Sequence, residues 1–454
     1  MRLSVFSSKY FFSGLWVIVF LALAIRILCA LPVLCGDGSE LLRFDSHTYL
    51  NPAYSLLADG TYSTAPDSGE AATTRPPGYS VFIAAVLLVS GKSLVCLGWV
   101  GCLAGALTCF PVGLCGRSMG NSLAGWLAAL LLALNLTALA HSPMILADTL
   151  LGFFSAWGLF FMVRSLKHGS VADFSFAVLF FCAACYFKPI VVPVIVLALP
   201  LLTVFFFGFS RKTLAGWTLL WISYFLFLAP WMLRNYRAGA DYDMDSNRGD
   251  LYYHCGSAIL GVVTGENTGV IRNRLRAETD RYFVENQEMF PLLRDRNAYN
   301  YRKYFGLIRR YPFAFLQTHL PQYQMLLPDL PTFLENNRKT ITGRGTLDVM
   351  RAKGVFAALK HYLDGNFKLI LPAVPFLLMT LLLYAGVIGC LLIWLFKWRW
   401  RKLALFAVFG LYLLFAGGPV VMPRYQIPAL PILCTMAACF YILLTRKSNR
   451  REKV

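Results

Sequence analysis

The chain is organised by long apolar runs separated by polar or basic breaks. Runs fall at 11–33, 94–115, 121–142, 146–164, 173–188, 190–209, 213–232, 368–396, 402–418 and 425–445. A bilayer core takes about 20 apolar residues of helix, with a range of roughly 17–25. The pattern therefore predicts about ten crossing helices. A further apolar stretch, 79–90, holds only about a dozen residues, a length that fits a re-entrant or interfacial segment better than a span. In lipid every backbone polar group must be satisfied internally, so the predicted fold class is an all-α polytopic membrane protein.

Charge orients these helices. Short cytoplasmic loops collect Lys and Arg. With the N-terminus (Arg2, Lys9) inside and 79–90 not crossing, Arg117, Arg164–Lys167, Arg211–Lys212, Lys397–Lys402 and the tail Arg446–Arg451 all fall inside. If 79–90 crossed, every later cluster would flip outside. Residues 34–93 and 233–367 are accordingly expected on the extracytoplasmic side of a cell (inner) membrane, with both termini cytoplasmic. Three parts follow: an N-terminal membrane module at 1–232, a large outer loop at 233–367, and C-terminal helices with a basic tail at 368–454. The first run exceeds the 7–15 residues usual for a signal-peptide core and reads as an uncleaved anchor. Within the large loop, 279–287 and 299–310 show helical patterning, and 313–327 is amphipathic and aromatic, as expected of a segment lying along the membrane face.

Composition narrows the class. Of 454 residues, 57% are hydrophobic and 14% charged, against roughly 45–50% and 25% in soluble domains. That excludes a soluble enzyme, a disordered chain and a disulfide-stapled module. The net charge of +19 follows the topology pattern and does not indicate a nucleic-acid reader. Most of the twelve cysteines lie in apolar runs and behave there as small hydrophobes. Cys35 and Cys255 are the two expected to face outward, where a bridge between them is an option.

Chemistry-bearing residues concentrate at predicted outer helix ends. Asp45-Ser46-His47-Thr48-Tyr49 is followed by Ala53 and Gly60, then by Thr74-Arg75-Pro76-Pro77-Gly78-Tyr79. Leu146-Ala147-Asp148 opens a helix, and Lys188-Pro189 stands at the end of one. Pro230-Trp231 precedes Arg234-Asn235-Tyr236, Tyr311-Pro312 precedes Phe315, and Pro423-Arg424-Tyr425 begins the last run. This ordered set resembles bacterial members of the polyprenyl-phosphate-sugar glycosyltransferases, the protein O-mannosyltransferase and aminoarabinose-transferase superfamily. The resemblance extends over about 11–445. It implies a GT-C bundle of about ten to twelve helices with juxtamembrane helices on the outer face. It also implies inverting transfer of a sugar from a polyprenyl-phosphate donor to a glycolipid, glycan or protein.

Such chemistry needs a carboxylate to take the acceptor proton and cations to hold a departing phosphate whose charge grows in the transition state. Arg suits bidentate phosphate contact, and Lys acts as a point charge. Asp45 is the first candidate for general base, with Asp148 as orienter or assistant. Arg75, Lys188, Arg234 and Arg424 are candidates for the donor phosphate. Arg26, His47, Tyr49, Tyr79 and Tyr236 are weaker candidates for the substrate cavity. Arg26 lies inside the first run, where a charge is costly, and is expected to pair with Asp148 or reach the interface. Many relatives carry Asp-Glu where this chain has Asp45-Ser46, so a second carboxylate is missing. No metal site is assigned, and a divalent cation stays open as a cofactor. The expected partners are the lipid-linked donor, the bilayer and an acceptor the pattern does not name. The alternatives are an O-antigen polymerase or ligase, and a transporter or flippase.

Overall fold

A computed structural model describes residues 8–320, 323–337, 346–420 and 422–451. Arg2 and residues 321–322 of the amphipathic stretch lie outside the described residues. The described chain is helical nearly throughout, with a single isolated bridge between Ser63 and Ala71.

The first module begins with α1 (Ser8–Leu34), followed on the surface by α2 (His47–Ala58) and α3 (Pro77–Val89). Then come α4 (Leu94–Leu107), α5 (Cys109–Met119), α6 (Ser122–Ala133), α7 (Leu136–His141), α8 (Asp148–His168) and α9 (Val171–Cys185). Next are α10 (Leu199–Phe207), α11 (Arg211–Ser223) and α12 (Ala229–Arg237), the last two joined by a π-helical turn at Tyr224–Leu228. The long loop folds into α13 (Ser257–Thr264), α14 (Thr268–Glu285), α15 (Leu293–Arg310), α16 (Pro312–His319), α17 (Tyr323–Leu326), α18 (Leu330–Asn336) and α19 (Thr346–Tyr362). The chain returns through α20 (Val374–Phe396), α21 (Trp400–Phe406), α22 (Leu413–Phe415) and α23 (Leu430–Arg451).

Among the described residues seven helical runs are long and apolar enough to cross a membrane: Tyr10–Leu34, Leu94–Met119, Asp148–His168, Pro189–Phe207, Arg211–Arg237, Phe367–Phe396 and Pro423–Thr445. The other three expected spans are helical but differ in form. Run 121–142 divides into α6 and α7, because the Asn135 side chain accepts from Ala138 N at 3.0 Å and starts a new helix. The 173–188 run forms the shorter α9, which ends at Cys185. Run 402–418 carries a π-helical turn at Ala407–Tyr412 between α21 and α22.

Small residues bring helices close. An added Cβ at Gly116 would stand 2.7 Å from Ala124 O, and one at Gly125 2.6 Å from Gly113 O, so α5 and α6 pack backbone against backbone. Along α1, Gly98 faces Leu34 and Leu41, Gly113 faces Leu15, and Arg117 lies 4.4 Å over the Phe11 ring. The α4–α5 run is thus antiparallel to α1 and begins where α1 finishes. Helix α3 starts beside Tyr186, just beyond the end of α9, through Gly78 N to Tyr186 O at 2.9 Å. It is followed by Leu94, which packs on Gly38 just past the end of α1. Both ends of α3 therefore sit at one end of the bundle, and the helix does not cross.

Arg26 departs from expectation. It is buried in the bundle and donates to Ser142 Oγ (3.1 Å), Ala22 O (3.1 Å) and Ala133 O (3.4 Å). It neither pairs with Asp148 nor reaches the interface. Three oxygens from two other segments and its own preceding turn occupy it, so it fastens α1 to the α6–α7 break. Cys255 also departs from expectation. It is buried against Tyr304, Ile259 and Ala314 and is a free thiol, as is the exposed Cys35.

Candidate active site

The candidate carboxylates come together at the end of the bundle where α1 finishes and α8 begins. Ser46 explains how. Its hydroxyl accepts from Arg43 N (2.8 Å) and donates to Ile145 O (2.8 Å), while Ile145 N donates to Leu41 O (3.0 Å). The residue after Asp45 is thus turned inward as a stitch, which fixes Asp45 beside the strand of chain leading into Asp148.

Asp45 meets two guanidinium groups. Arg75 Nη2 donates to its Oδ1 at 3.2 Å, and Arg424 Nη2 donates to its Oδ2. Arg75 also donates from Nε to Thr48 Oγ1 at 3.2 Å, and its guanidinium lies 5.4 Å over the Tyr49 ring. Tyr49 meets Tyr79 edge to face at 5.1 Å, and both are buried. The two tyrosines thus form the floor beneath Arg75. Burial opposes the Arg75 charge, but the Tyr49 hydroxyl, Asp45 and Asp245 around it hold its pKa above the ordinary arginine value.

Asp148 occupies the first turn of α8 without capping it. Its Oδ1 accepts from Lys188 Nζ at 2.6 Å. Its Oδ2 is buried and has no hydrogen-bond partner among the described residues. Lys188 and Arg424 lie over the same ring, Tyr425, at 5.0 and 5.5 Å. The arrangement is a row of two carboxylates and three cations in which Tyr425 bridges the halves. Exposure separates their roles: the Asp45 side chain is 24% exposed and that of Asp148 2%. Asp45 is open enough to be reached from outside, whereas Asp148 is enclosed with Lys188.

Not every candidate joins this group. Arg234 donates to Ala72 O and to Tyr62 O (2.8 Å) and lies 4.8 Å over Trp231, so it ties α12 to the first loop. Tyr236 is exposed under Arg294, with the guanidinium 4.3 Å from its ring centre. His47 is exposed at the start of α2.

Other residues belong to the site without having been singled out by their sequence. Tyr425 was legible only as part of a Pro-Arg-Tyr run. Thr48 positions Arg75. His141 and Asp329, both buried, pair at 2.6 Å and dock α18 against α7. Gln426, next to Tyr425, donates to Met325 O at 2.9 Å and accepts from Tyr384. These contacts hold the end of the long loop against the site.

Just after Arg75 in the chain, Pro77 and Gly78 begin the lining of an apolar cavity of about 430 Å³ between α3, α9 and Phe227, with Val81, Cys182 and Tyr186. Gly78 is required there: an added Cβ would stand 2.6 Å from Tyr186 O.

The donor set fits a divalent ion poorly. Both Asp45 oxygens and one Asp148 oxygen are engaged by protein cations, and no group of three His, Cys, Asp or Glu side chains suited to a metal occurs among the described residues.

No family model matches the chain, and no curated protein matches it in sequence. Solved structures do. Archaeal oligosaccharyltransferase AglB from Archaeoglobus fulgidus, in complex with an inhibitory peptide and a dolichol-phosphate, matches with a TM-score of 0.54 at 14% identity over 99% of this chain and 52% of that one. The A. fulgidus oligosaccharyltransferase tethered to an acceptor peptide containing the NVT sequon gives 0.52 at 14% identity, over 97% and 50%. The same enzyme in complex with Zn and sulfate gives 0.51 at 12% identity, over 96% and 50%. The present chain spans about half the length of the oligosaccharyltransferase chains it matches. At this identity the likeness establishes the fold: the chain is a polytopic membrane protein with the GT-C fold.

Proposed function

We propose that the chain is an inverting membrane glycosyltransferase that moves a sugar from a polyprenyl-phosphate carrier to an acceptor on the extracytoplasmic face. The observation that carries this reading is Asp45, a partly exposed carboxylate held between Arg75 and Arg424, with an apolar cavity whose lining begins at Pro77, close behind Arg75 in the chain. A lipid-linked donor has two parts, and this site supplies a surface for each. The apolar cavity beginning at Pro77-Gly78 accommodates isoprenoid chain, and Arg75 and Arg424 meet the phosphate. The dolichol-phosphate bound to the archaeal oligosaccharyltransferase supports a lipid-linked donor, and the peptide tethered to it supports a protein acceptor as one of the acceptors to test.

In the resting site Arg75 and Arg424 occupy the two oxygens of Asp45. An arriving phosphate competes for Arg75 and Arg424. As they turn to the phosphate, the Asp45 oxygens are released to meet the acceptor. The acceptor oxygen or nitrogen then attacks the anomeric carbon, its proton passes to Asp45, and the carbon–oxygen bond to the phosphate breaks with the electron pair leaving on the phosphate. Lys188, held by Asp148, adds a fixed positive charge near Arg424. A single displacement inverts the anomeric centre.

The transporter alternative gains nothing from Arg26, whose guanidinium is enclosed by protein oxygens. The test supplies the purified protein with a panel of polyprenyl-phosphate hexoses and pentoses and acceptor mixtures, and reads release of polyprenyl phosphate together with product anomeric configuration. Release with inversion is expected. Release with retention, or flux in proteoliposomes without release, would overturn the reading.

A further inference from the structure

A second cavity, with charged residues at its rim, lies at the opposite end of the bundle. Helix α8 runs away from Asp148 and ends at His168, and α10 ends nearby at Phe207. The turns that follow, Gly169-Ser170 and Gly208-Phe209-Ser210, face each other. An added Cβ at Gly169 would stand 3.7 Å from Lys212 Nζ and 3.9 Å from the Phe207 ring. Between the turns is a cavity of about 400 Å³.

Its lining has two characters. The rim carries Lys167, His168 and Lys212, all exposed, while the floor is Val171, Phe174 and Phe207. The hydroxyls of the lining are already committed: Ser170 Oγ accepts from Asp173 N, Thr213 Oγ1 donates to Gly208 O, and Thr203 Oγ1 accepts from Trp217 Nε1. Lys167 gives one hydrogen bond to Ser118 O at 3.0 Å, which leaves two N–H groups. Lys212 makes no ion pair among the described residues. Asp173, in the first turn of α9, is paired with Arg164 at 3.4 Å. Two helices of 15 and 13 residues, α9 and α11, begin at this cavity and point their positive ends toward it.

The surplus of positive charge is therefore concentrated over a concave apolar floor at the level where three crossing helices end. A topological anchor needs the charge and not the cavity. We propose that this cavity is a binding site for a phosphate-bearing anion, with the phosphate between Lys167 and Lys212 and an apolar portion against Phe174 and Phe207. The floor favours a phospholipid, whose headgroup phosphate would lie at this depth; a free phosphate presents the same anion without the tail. The site is separate from the carboxylate site and does not depend on the reading given above.

The experiment uses the full-length protein in neutral detergent. Native mass spectrometry counts retained lipid after exchange into phosphatidylglycerol, phosphatidylcholine or neither, and Trp217 fluorescence is followed while inorganic phosphate is added. The variants are Lys167→Gln with Lys212→Gln, and, as a charge-matched control on the same end, Lys397→Gln with Arg399→Gln. Each cation near an anionic headgroup contributes roughly 1 kcal/mol, or about five-fold in affinity. Retained phosphatidylglycerol should fall about 25-fold in the first pair and stay at the wild-type level in the control. Retention of phosphatidylglycerol with no fluorescence response to phosphate assigns the site to lipid. A saturable response to phosphate, lost in the first pair, assigns it to a free phosphate. Equal lipid retention in wild type and both pairs, with no response to phosphate, would overturn the proposal. Polyprenyl-phosphate release by the first pair reports separately on the other site.

Discussion

Replacing Asp148 by Asn leaves the shape of α8 intact and strands Lys188. At 2.6 Å and an effective dielectric of about 20, the two charges attract by about 6 kcal/mol. Desolvation of both offsets most of that attraction, so the intact pair adds little net stability. Breaking it is another matter, because one buried charge then has no partner; the cost is about 3–5 kcal/mol. Lys188 keeps 19% of its side-chain surface and can recruit water, which places Asp148→Asn near the lower figure. Asp148 keeps 2%, which places Lys188→Met near the upper figure. The double variant removes both charges and should be far less destabilised than the sum of the singles, which leaves it close to wild type. The assay is unfolding in mixed micelles of the four proteins, followed by helical signal, with polyprenyl-phosphate release measured in parallel. Release should be lost in Lys188→Met and in the double variant, although the double variant recovers stability. Additive singles would refute the buried pair, and full release in the double variant would refute the role given to Lys188.

Three further outcomes are expected. Burial and the neighbouring Asp243 raise the Asp245 carboxyl to about 7. A carboxyl more basic in the folded than in the unfolded state binds the extra proton when folded, so stability falls as pH rises from about 4 to about 7 and is flat above. Protection of 241–250 against hydrogen exchange, taken relative to the intrinsic base-catalysed rate at each pH, should therefore fall across that window, and Asp245→Asn should abolish that fall. Tyr49→Ala removes the ring beneath Arg75 from a buried position and should cost about 3–5 kcal/mol and reduce donor affinity, whereas Tyr49→Phe should preserve both; equal behaviour of the two variants in a thermal and donor-binding assay would contradict the floor role. A membrane-impermeant maleimide on intact cells should label Cys35, which is exposed, and not the buried Cys255; labelling of Cys35 only after permeabilisation would reverse the proposed orientation.

The spans were legible because apolar length alone decides them, and basic loops decided that 79–90 stays at one end. Breaks inside spans were not: Asn135 divides one run by capping a helix, and π-helical turns leave no clear mark in hydropathy. For the site, the sequence fixes height along the bundle but not position around it. Asp45, Arg75, Asp148, Lys188 and Arg424 were each expected at one face, yet nothing in their spacing says that Arg424 reaches Asp45 across 379 positions. Arg234 shows the other side of this limit, since it ends a helix at the same face but turns to the carbonyls of Tyr62 and Ala72. The family resemblance marked Ser46 as a missing carboxylate. The structure gives it a different task, joining the first loop to Ile145. His141 and Asp329 had no signal, because the pair exists only once the long loop has docked.

The central claim rests on Asp45. Wild type and Asp45→Asn are compared in a single-turnover assay with a donor shown to bind both. Replacing the carboxylate by an amide keeps the volume and one acceptor oxygen but removes the base and its charge. The account predicts donor binding within a few-fold of wild type and a loss of polyprenyl-phosphate release of about 10²–10⁴. Equal release from the two proteins would contradict it.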